Sequence, residues 1–248
     1  MENDEYKIMY EIERSYWWFL GKQFLVKNIL KTLTSVGARQ GKILDIGCGS
    51  GIILKALEKF GTAYGIELSF KAIHFLKKRN LSRIVQSDIN QSISYKKNTF
   101  SVITCLDVLE HVEDDLALLN EVVRVCKPGG HIIITVPAFN ALWSSHDIAL
   151  HHKRRYTRKS ILEKISAMRC SVVKSSYFNV GLFLPIFAVR KIKPIFSRDA
   201  HIQSDFFVKL PEWLNRTLIF LYTIELNMLQ FLSFPFGLSV LLILQKEE

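Results

Sequence analysis

A glycine-rich turn between a strand-like run and a helix-like run sets the strongest limit on the fold of this chain. Lys42–Ile46 is apolar and predicts a strand, Gly47, Gly49 and Gly51 follow it, and Ile52–Phe60 has the pattern of a helix. Glycine has no Cβ, so the turn can be tight and can approach a ligand closely. The helix behind it offers free N–H groups and a positive dipole end. The turn therefore predicts a βαβ unit with a binding site at its edge.

The glycine spacing separates this turn from two other nucleotide-binding loops. A dinucleotide fingerprint would need glycine where the chain has Ile52, and no Gly-Lys-Ser/Thr follows as a P-loop would need. The second predicted strand, Thr62–Ile66, is followed by Glu67, and an acid there can accept hydrogen bonds from both hydroxyls of a ribose. Glu67 could instead lie at the start of a helix capped by Ser69. Its pairing with the glycine turn favours the ligand role.

Strand-like and helix-like runs alternate along the rest of the chain. Further strands are predicted at Arg83–Gln86, Phe100–Leu106, His131–Val136, Ser171–Tyr177 and Gly237–Leu244, and further helices at Phe70–Lys78, Asp114–Cys126 and Arg158–Met168. We predict that Thr157 caps the last of these helices. The alternation predicts an α/β fold with a doubly wound, mostly parallel sheet between two layers of helices. Ligands then bind at the carboxyl ends of the strands.

Composition narrows the class of protein without choosing a substrate. The chain has 248 residues, of which 49% are hydrophobic, and this excludes disordered and fibrous proteins. The net charge of +10 favours an anionic partner, such as nucleic acid, a phosphorylated substrate or an anionic membrane surface. The four cysteines form no CxxC pair, which argues against a zinc site and fits a reducing compartment. The acidic N-terminus lacks a signal-peptide pattern, so we expect a cytoplasmic protein.

Two apolar stretches leave membrane contact open. Glu225 is the only charged residue between Thr217 and Leu244, but residues 234–237 (Phe-Pro-Phe-Gly) would break a spanning helix. We predict a helix, a turn and a strand there instead. Val180–Arg198 has no acidic residue and joins an apolar run to a basic flank, as interfacial helices do. The same pattern fits a core helix with a solvated end, so peripheral attachment to the inner face of a membrane stays an alternative.

Five segments resemble the motifs of class I S-adenosylmethionine-dependent methyltransferases. They are residues 44–51, 65–67, 86–89, 106–112 and 127–130, and together they cover about residues 40–140. The resemblance implies S-adenosylmethionine as the cofactor and a seven-stranded Rossmann-like sheet with an antiparallel last strand, which Gly237–Leu244 can supply. The cofactor-binding residues that it implies are Asp45, Gly47, Cys48, Gly49, Gly51, Glu67, Leu68, Asp88, Ile89, Leu106, Asp107, His111 and Trp18.

Two segments outside this core resemble a narrower bacterial subgroup that is often tied to glycan, lipid and natural-product pathways. Residues 13–19 look like its N-terminal helix, and residues 142–147 and 152–157 look like its loop after the fifth strand. We therefore expect one domain over 1–248. Its parts would be a helical lid over 1–35, a cofactor core over 40–140, an acceptor loop over 141–160 and a helical insertion over 180–235.

Methyl transfer to a hydroxyl group needs a general base, and histidine is the usual one near neutral pH. His111 is one candidate, although it could merely order the loop after the fourth strand. The alternative is a cluster of His146, Asp147 and His152, with His151 beside them. We predict that the acceptor contacts Trp143, Arg154, Arg155 and Tyr156, because adjacent arginines can hold a phosphate or a carboxylate.

Two further groups carry open alternatives. Asp107, Glu110 and His111 resemble a metal-supported arrangement of some quinone O-methyltransferases, but most of the class needs no metal and we predict none. Tyr16–Phe19 are four consecutive aromatic residues that cannot share one helix face. We expect an exposed Trp pair that forms a lid over the cofactor cleft, with packing against the domain as the alternative.

The sequence thus predicts S-adenosylmethionine-dependent methyl transfer, preferably to oxygen, on a small-molecule or a lipid- or sugar-linked acceptor. An RNA methyltransferase is the first alternative. Residues 106–109 (Leu-Asp-Val-Leu) stand where base methylases carry an Asn-Pro-Pro-Tyr type motif, and no RNA-binding module is present, so a nucleic-acid partner is disfavoured. The second alternative is a non-catalytic binding protein on the same fold, because fold alone does not fix function.

Overall fold

The computed structural model describes residues 3–35, 41–90, 92–196 and 210–248. The helices are α1 (Asn3–Ile12), α2 (Trp17–Ser35), α3 (Ile52–Leu57), α4 (Phe70–Lys78), α5 (Asp115–Val125), α6 (Ser145–Ala149), α7 (Arg158–Ile165), α8 (Phe183–Phe196) and α9 (Glu212–Met228). The strands are β1 (Lys42–Ile46), β2 (Thr62–Glu67), β3 (Ile84–Gln86), β4 (Phe100–Leu106), β5 (Cys126–Pro137), β6 (Cys170–Phe178) and β7 (Ser239–Lys246).

These strands form one sheet of seven in the order β3-β2-β1-β4-β5-β7-β6. Neighbours from β3 to β5 run parallel, whereas β7 is antiparallel to both β5 and β6. The α/β, doubly wound fold with an antiparallel last strand is therefore confirmed. Two buried apolar clusters lie on the sheet, one that includes α5 and α7 and one that includes α2, α3 and α9. Both faces of the sheet are thus covered, as parallel strands require.

Local sequence explains most of the element bounds. Ser69 accepts a hydrogen bond from Ala72 N at the start of α4, and Thr157 accepts one from Ser160 N at the start of α7, so the predicted cap at Thr157 is confirmed. The main difference lies at β5, which begins at Cys126 rather than at the predicted His131. Gly129, with φ of +71°, lets the chain bulge between the two parts of this strand.

Helices α8 and α9 lie between β6 and β7, inside the predicted insertion over 180–235. Arg198 and the side chains of Lys191 and Lys193, which carried most of the basic flank, lie outside the described residues. No helix among the residues that the structure describes is both long and apolar enough to cross a membrane. The predicted helix, turn and strand over the late apolar stretch are α9, residues 229–238 and β7.

The expectation of an exposed Trp pair is wrong, because α9 packs on α2. Trp17 is buried, and its ring meets Tyr222 of α9 edge-on at 5.7 Å between centroids. Gly21 permits this contact, since a Cβ there would overlap the Tyr222 ring. Trp18 is half-buried and faces the cavity described below. The sequence alone does not show that Trp17 is covered, because α9, the helix that covers it, is far from α2 along the chain.

Candidate active site

A cavity of about 530 Å³ opens at the carboxyl ends of β1, β2 and β4, as the sheet topology predicted. This volume falls within the usual range of about 300–1,000 Å³ for cofactor and small-molecule sites. Helices α1, α2 and α8 and the segments after β4 and β5 complete its wall. The predicted residues that line it are Trp18, Gly47, Gly49, Glu67, Leu68, Asp88, Ile89, Leu106, Asp107, His111, His146, His152 and Arg155.

The glycine turn forms one wall of this cavity. Gly47, Gly49 and Gly51 all have positive φ, a conformation that side chains with a Cβ resist. Gly47 N and Cys48 N both donate to the Ile66 carbonyl, at 2.9 and 3.0 Å, which fixes the turn against β2. A Cβ on Gly49 would meet no described atom within 4 Å, so this glycine leaves open room for a ligand at the start of α3.

Glu67 lies at the end of β2, beside the glycine turn. Its Oε2 accepts a hydrogen bond from Gly49 N, and its Oε1 accepts one from Ser69 N, each at 2.8 Å. Burial raises the pKa of Glu67, and the backbone N–H groups of Ser69 and Gly49 oppose that shift. Each carboxylate oxygen keeps capacity for a second donor. Glu67 thus holds the start of α4, which is the alternative role that the sequence offered, and it also lines the cavity, so its ligand role stays a prediction.

Three predicted cofactor residues do not line the cavity. Asp45 is buried under the turn, where its Oδ1 accepts a hydrogen bond from Thr104 Oγ1 at 2.6 Å. Its Oδ2 has no hydrogen-bond partner among the described residues, and burial raises the pKa of Asp45 to about 7. Cys48 is buried against Gly65, and Gly51 packs on α4 and Leu81. These three residues support the glycine turn without lining the cavity.

Sequence reasoning missed Lys22, which reaches the cavity from α2. Its ammonium pairs with Asp107 at the end of β4 and lies 5.0 Å from the centroid of the Trp18 ring. Burial lowers the pKa of Lys22. Asp107 also accepts a hydrogen bond from Thr135 Oγ1 at 2.8 Å. No local motif marks Lys22. The only signal in the sequence was its position on α2, a helix that begins with aromatic residues.

Glu110 is the least satisfied polar group of the site. Its side chain is fully buried and lines the cavity, and neither carboxylate oxygen has a hydrogen-bond partner among the described residues. Burial raises the pKa of Glu110, which favours the neutral acid. A buried carboxyl group without a partner is costly, so this one is suited to meet a ligand.

Two of the predicted bases lie side by side. The rings of His111 and His152 meet edge-on, with 4.7 Å between centroids. Burial lowers the pKa of His111 to about 3, and His152 adds to that shift, so His111 is neutral. His152 Nδ1 lies 2.9 Å from Asp147 Oδ1, so Nε2 is the ring nitrogen that does not contact Asp147, and His152 lines the cavity.

Asp147 belongs to the interior rather than to the cavity wall. It forms two charged contacts with Arg155, from Nε to Oδ1 at 2.7 Å and from Nη2 to Oδ2 at 3.0 Å. Burial acts to raise the pKa of Asp147, but the hydrogen bonds with His152 and Arg155 outweigh it and hold that pKa well below its usual range. Asp147 is therefore an ionised group that orients the His152 ring, and His152 Nδ1 donates to it.

The predicted acceptor contacts need correction. Arg154 donates to the Val112 and Glu113 carbonyls and pairs with Asp115, so its guanidinium does not join that of Arg155 at one ligand. Tyr156 is buried and contacts Asp115, with 2.8 Å between the two oxygens. Trp143 is partly exposed, and it does not line the cavity. Of the four, only Arg155 reaches the cavity, and Asp147 already holds it.

A cation could also fit here. Within the described part of the chain, Glu110, His111 and His152 each offer a ligand atom, and these atoms lie within 4.8 Å of one another. The set differs from the one that resemblance suggested, because Asp107 is engaged by Lys22 and Thr135. Carboxylate and neutral imidazole are ligands for Zn²⁺, so a bound cation would require Glu110 to lose the proton that its raised pKa favours.

Known proteins share the core of this chain. A family model described as a methyltransferase domain matches residues 44–134. The ubiquinone biosynthesis O-methyltransferase of Aliivibrio fischeri is 30% identical over 139 residues, which are 51% of this chain and 59% of that protein. The corresponding protein of Vibrio cholerae is 27% identical over the same length. The chain thus spans about three fifths of the length of these curated relatives.

Solved structures agree on the fold. A SAM-dependent methyltransferase from Archaeoglobus fulgidus aligns with a TM-score of 0.58 at 19% identity, over 90% of this chain and 94% of that one. A chain from the complex of the Haloferax volcanii Trm112 methyltransferase activator with a methyltransferase aligns with a TM-score of 0.61 at 15% identity, over 99% of this chain and 95% of that one.

Proposed function

We propose that the chain is a class I S-adenosylmethionine-dependent methyltransferase and that it methylates a hydroxyl oxygen of a small molecule. The observation that carries this proposal is His152, which the buried Asp147 orients and which lines the same cavity as the glycine turn. The curated relatives are O-methyltransferases of ubiquinone biosynthesis, which supports transfer to oxygen. The family resemblance supports S-adenosylmethionine as the methyl donor.

The cofactor fits the residues of one half of the cavity. Gly49 leaves room beside the start of α3, and Glu67 offers carboxylate oxygens to a ribose. Asp88 and Ile89 line the same half. When bound, S-adenosylmethionine supplies a methyl group on a positively charged sulfur, which is already a strong electrophile. The protein must therefore hold the acceptor in line and exclude water.

The other half of the cavity activates the acceptor. His152 Nε2 takes the hydroxyl proton, because Asp147 holds the Nδ1 proton and stabilises the imidazolium that forms. With S-adenosylmethionine held beside Gly49 and Glu67, its methyl group would pass to the oxygen whose proton His152 has taken, and S-adenosylhomocysteine would be the product. The neutral His111 ring and the carboxyl group of Glu110 lie close enough to contact the same acceptor.

A lipid-linked acceptor at an anionic membrane is a second candidate, and the surface of α8 and α9 favours it. Helix α8 lines the cavity with Ile186 and exposes Leu184, and α9 exposes Trp213 and Phe220. Exposed apolar groups of this size mark contact surfaces, and the net charge of +10 suits anionic lipid. Co-sedimentation with phosphatidylglycerol vesicles, but not with phosphatidylcholine vesicles, is expected. The Trp213→Ser, Phe220→Ser double variant should lose it.

Calorimetric titration tests the cofactor half. Wild type should bind S-adenosylmethionine and S-adenosylhomocysteine and should not bind NADH. Glu67→Gln removes a hydrogen-bond acceptor from the cavity. The affinity of this variant for both compounds should therefore fall about tenfold or more. Glu163→Gln is the control, because Glu163 lies on α7 with 64% of its side chain exposed. A wild type that binds neither compound would overturn the proposal.

Radiolabelled methyl transfer tests the acceptor half. The probes are catechol, phenol and aniline, each supplied with labelled S-adenosylmethionine. Label should appear on the hydroxylated probes and not on aniline. Transfer to bulk RNA, or to aniline alone, would contradict transfer to a small-molecule oxygen.

A further inference from the structure

Glu13, which follows α1, is a buried acid that the proposed reaction does not use. Its side chain is fully buried. Ser50 Oγ donates a hydrogen bond to Glu13 Oε2, and Arg79 Nη2 forms an ion pair with Glu13 Oε1. Arg79 Nε also donates to the Ser50 carbonyl, at 2.9 Å. Three groups from separate parts of the chain thus close a buried polar ring.

This ring joins the N-terminal cover to the glycine turn. Ser50 lies between Gly49 and Gly51, in the turn that borders the cavity. Helix α1, just before Glu13, contributes Tyr6 and Met9 to the wall of the same cavity. One carboxylate therefore touches the turn and fixes the end of the helix that covers it.

Aromatic contacts also attach Arg79 to α1. The Arg79 guanidinium carbon lies 4.6 Å from the centroid of the Tyr10 ring, and Tyr10 stacks on Phe75 of α4 at 4.6 Å. Arg79 thus contacts α1 through Tyr10 and through Glu13 at once. If α1 moved away, Arg79 would lose both contacts while the Ser50 carbonyl still held its Nε.

We propose that Glu13 is a positioning residue that couples closure of α1 over the cavity to the ligand-ready shape of the glycine turn. The proposal rests on the proposed function, because the ligand meant is S-adenosylmethionine or its product. Loss of one partner of a buried ion pair leaves the other charged and unpaired. The ring therefore favours two states, with α1 either docked or released. A ligand that contacts both walls stabilises the docked state, and docking strengthens ligand binding by the same factor.

The test measures release of S-adenosylhomocysteine from the full chain by rapid competition. The variants are Glu13→Gln, which weakens both contacts of the carboxylate, and Ser50→Ala, which removes one hydrogen bond and keeps the ion pair. Glu11→Gln is the matched control, since Glu11 lies on α1 with an exposed side chain. Hydrogen exchange of α1 amides, with and without the ligand, reports docking. The thermal midpoint reports folding.

We expect Glu13→Gln to release the ligand about tenfold faster than wild type, within the usual range of coupling between sites. Its α1 amides should also lose the protection that the ligand confers. Ser50→Ala should change in the same direction by less, and Glu11→Gln should match wild type.

A folded Glu13→Gln variant with the wild-type release rate would overturn the proposal, as would a lower thermal midpoint with unchanged release and unchanged ligand-dependent exchange. If Glu13→Gln does not fold, Ser50→Ala decides, and its unchanged release would overturn the proposal. A wild type without ligand binding would overturn the proposed function and this proposal with it, whereas binding with unaltered release would overturn this one alone.

Discussion

The two halves of the cavity differ in how the protein satisfies its own polar groups. In the cofactor half, both oxygens of Glu67 accept backbone N–H groups, and the glycine turn is fixed by the Ile66 carbonyl. In the acceptor half, neither oxygen of Glu110 has a partner among the described residues, and His111 is held neutral by burial. In the cofactor half, the acid that lines the cavity already accepts two backbone N–H groups, while in the acceptor half a ligand, water or an ion could still donate to or bind the buried carboxyl group of Glu110.

The halves also differ in origin along the chain. Gly49, Glu67 and Asp88 lie at the ends of three consecutive strands, β1, β2 and β3, of one βαβαβ arrangement. The acceptor half combines Lys22 from α2 with residues from the segments after β4 and β5. A local motif can encode the first arrangement, whereas long-range packing creates the second.

The largest effect should separate chemistry from cofactor binding. His152→Gln keeps a polar side chain but removes the base, so turnover should fall by about 100-fold or more. Affinity for S-adenosylhomocysteine should stay within about twofold, because His152 lies in the other half. Single-turnover methyl transfer and calorimetry measure the two quantities. His74→Gln is the control, since His74 is exposed on α4, and equal loss of turnover in both variants would contradict the role of His152.

The next effect concerns stability of the acceptor half. Asp147→Asn leaves the buried Arg155 without its counter-charge, so the free energy of unfolding should fall by about 3 kcal/mol. Denaturant titration measures the loss. The lowered pKa of Asp147 means that its contribution exists above its ordinary pKa of 3.8 and disappears as the pH falls through the folded value. The gap between variant and wild type should therefore narrow in acid; a gap that widens there would refute this account.

A smaller effect should come from a substitution of Gly49 in the cofactor half. We expect the unliganded protein to accommodate the added methyl group better than the liganded protein does. Gly49→Ala places a Cβ at a φ of +53°, which should cost about 1–2 kcal/mol of unfolding free energy. The added methyl group enters open space in the unliganded protein, so further strain is not expected. The same methyl group should weaken S-adenosylhomocysteine binding in calorimetry. Unchanged affinity would mean that the ligand does not approach Gly49.

The smallest effect is a change in how steeply the free energy of unfolding varies with pH. The raised pKa of Glu110 makes the folded state bind a proton more tightly than the unfolded state does. This contribution is fully present below the ordinary carboxyl pKa of 4.5 and is lost as the pH rises through the folded value. Glu110→Gln should flatten the fall in stability between about pH 5 and about pH 8. Denaturant titrations at several pH values measure this. If the unfolding free energies of variant and wild type fell in parallel with rising pH, the raised pKa of Glu110 would not explain the slope.

Much of the fold followed from local patterns. β1, α4 and β4 have the predicted bounds, because each is a short apolar or amphipathic run with clear ends. The start of β5 was missed because pairing across a bulge depends on β4, which local pattern does not show.

The acceptor half was harder to predict, for a physical reason. Sequence reasoning assigned Asp147 and Arg155 to the base cluster and to ligand binding, respectively. The structure pairs them with each other, because burial forces opposite charges together. Lys22 was missed because its role depends on how α2 approaches the end of β4. Which charges are buried is decided by tertiary packing, so residue types alone could nominate these groups but not divide their tasks.

The antiparallel strand β7 has a consequence for how the chain folds during synthesis. It lies between β5 and β6 in the sheet, yet it is the last of the seven strands to leave the ribosome. Until it arrives, β5 and β6 each present an open edge, and α8 and α9 have no anchored strand after them. The nascent chain can form its cofactor half early, whereas the other half waits for the final strand. Arrest of translation before Ser239 should therefore leave a partly folded, aggregation-prone intermediate.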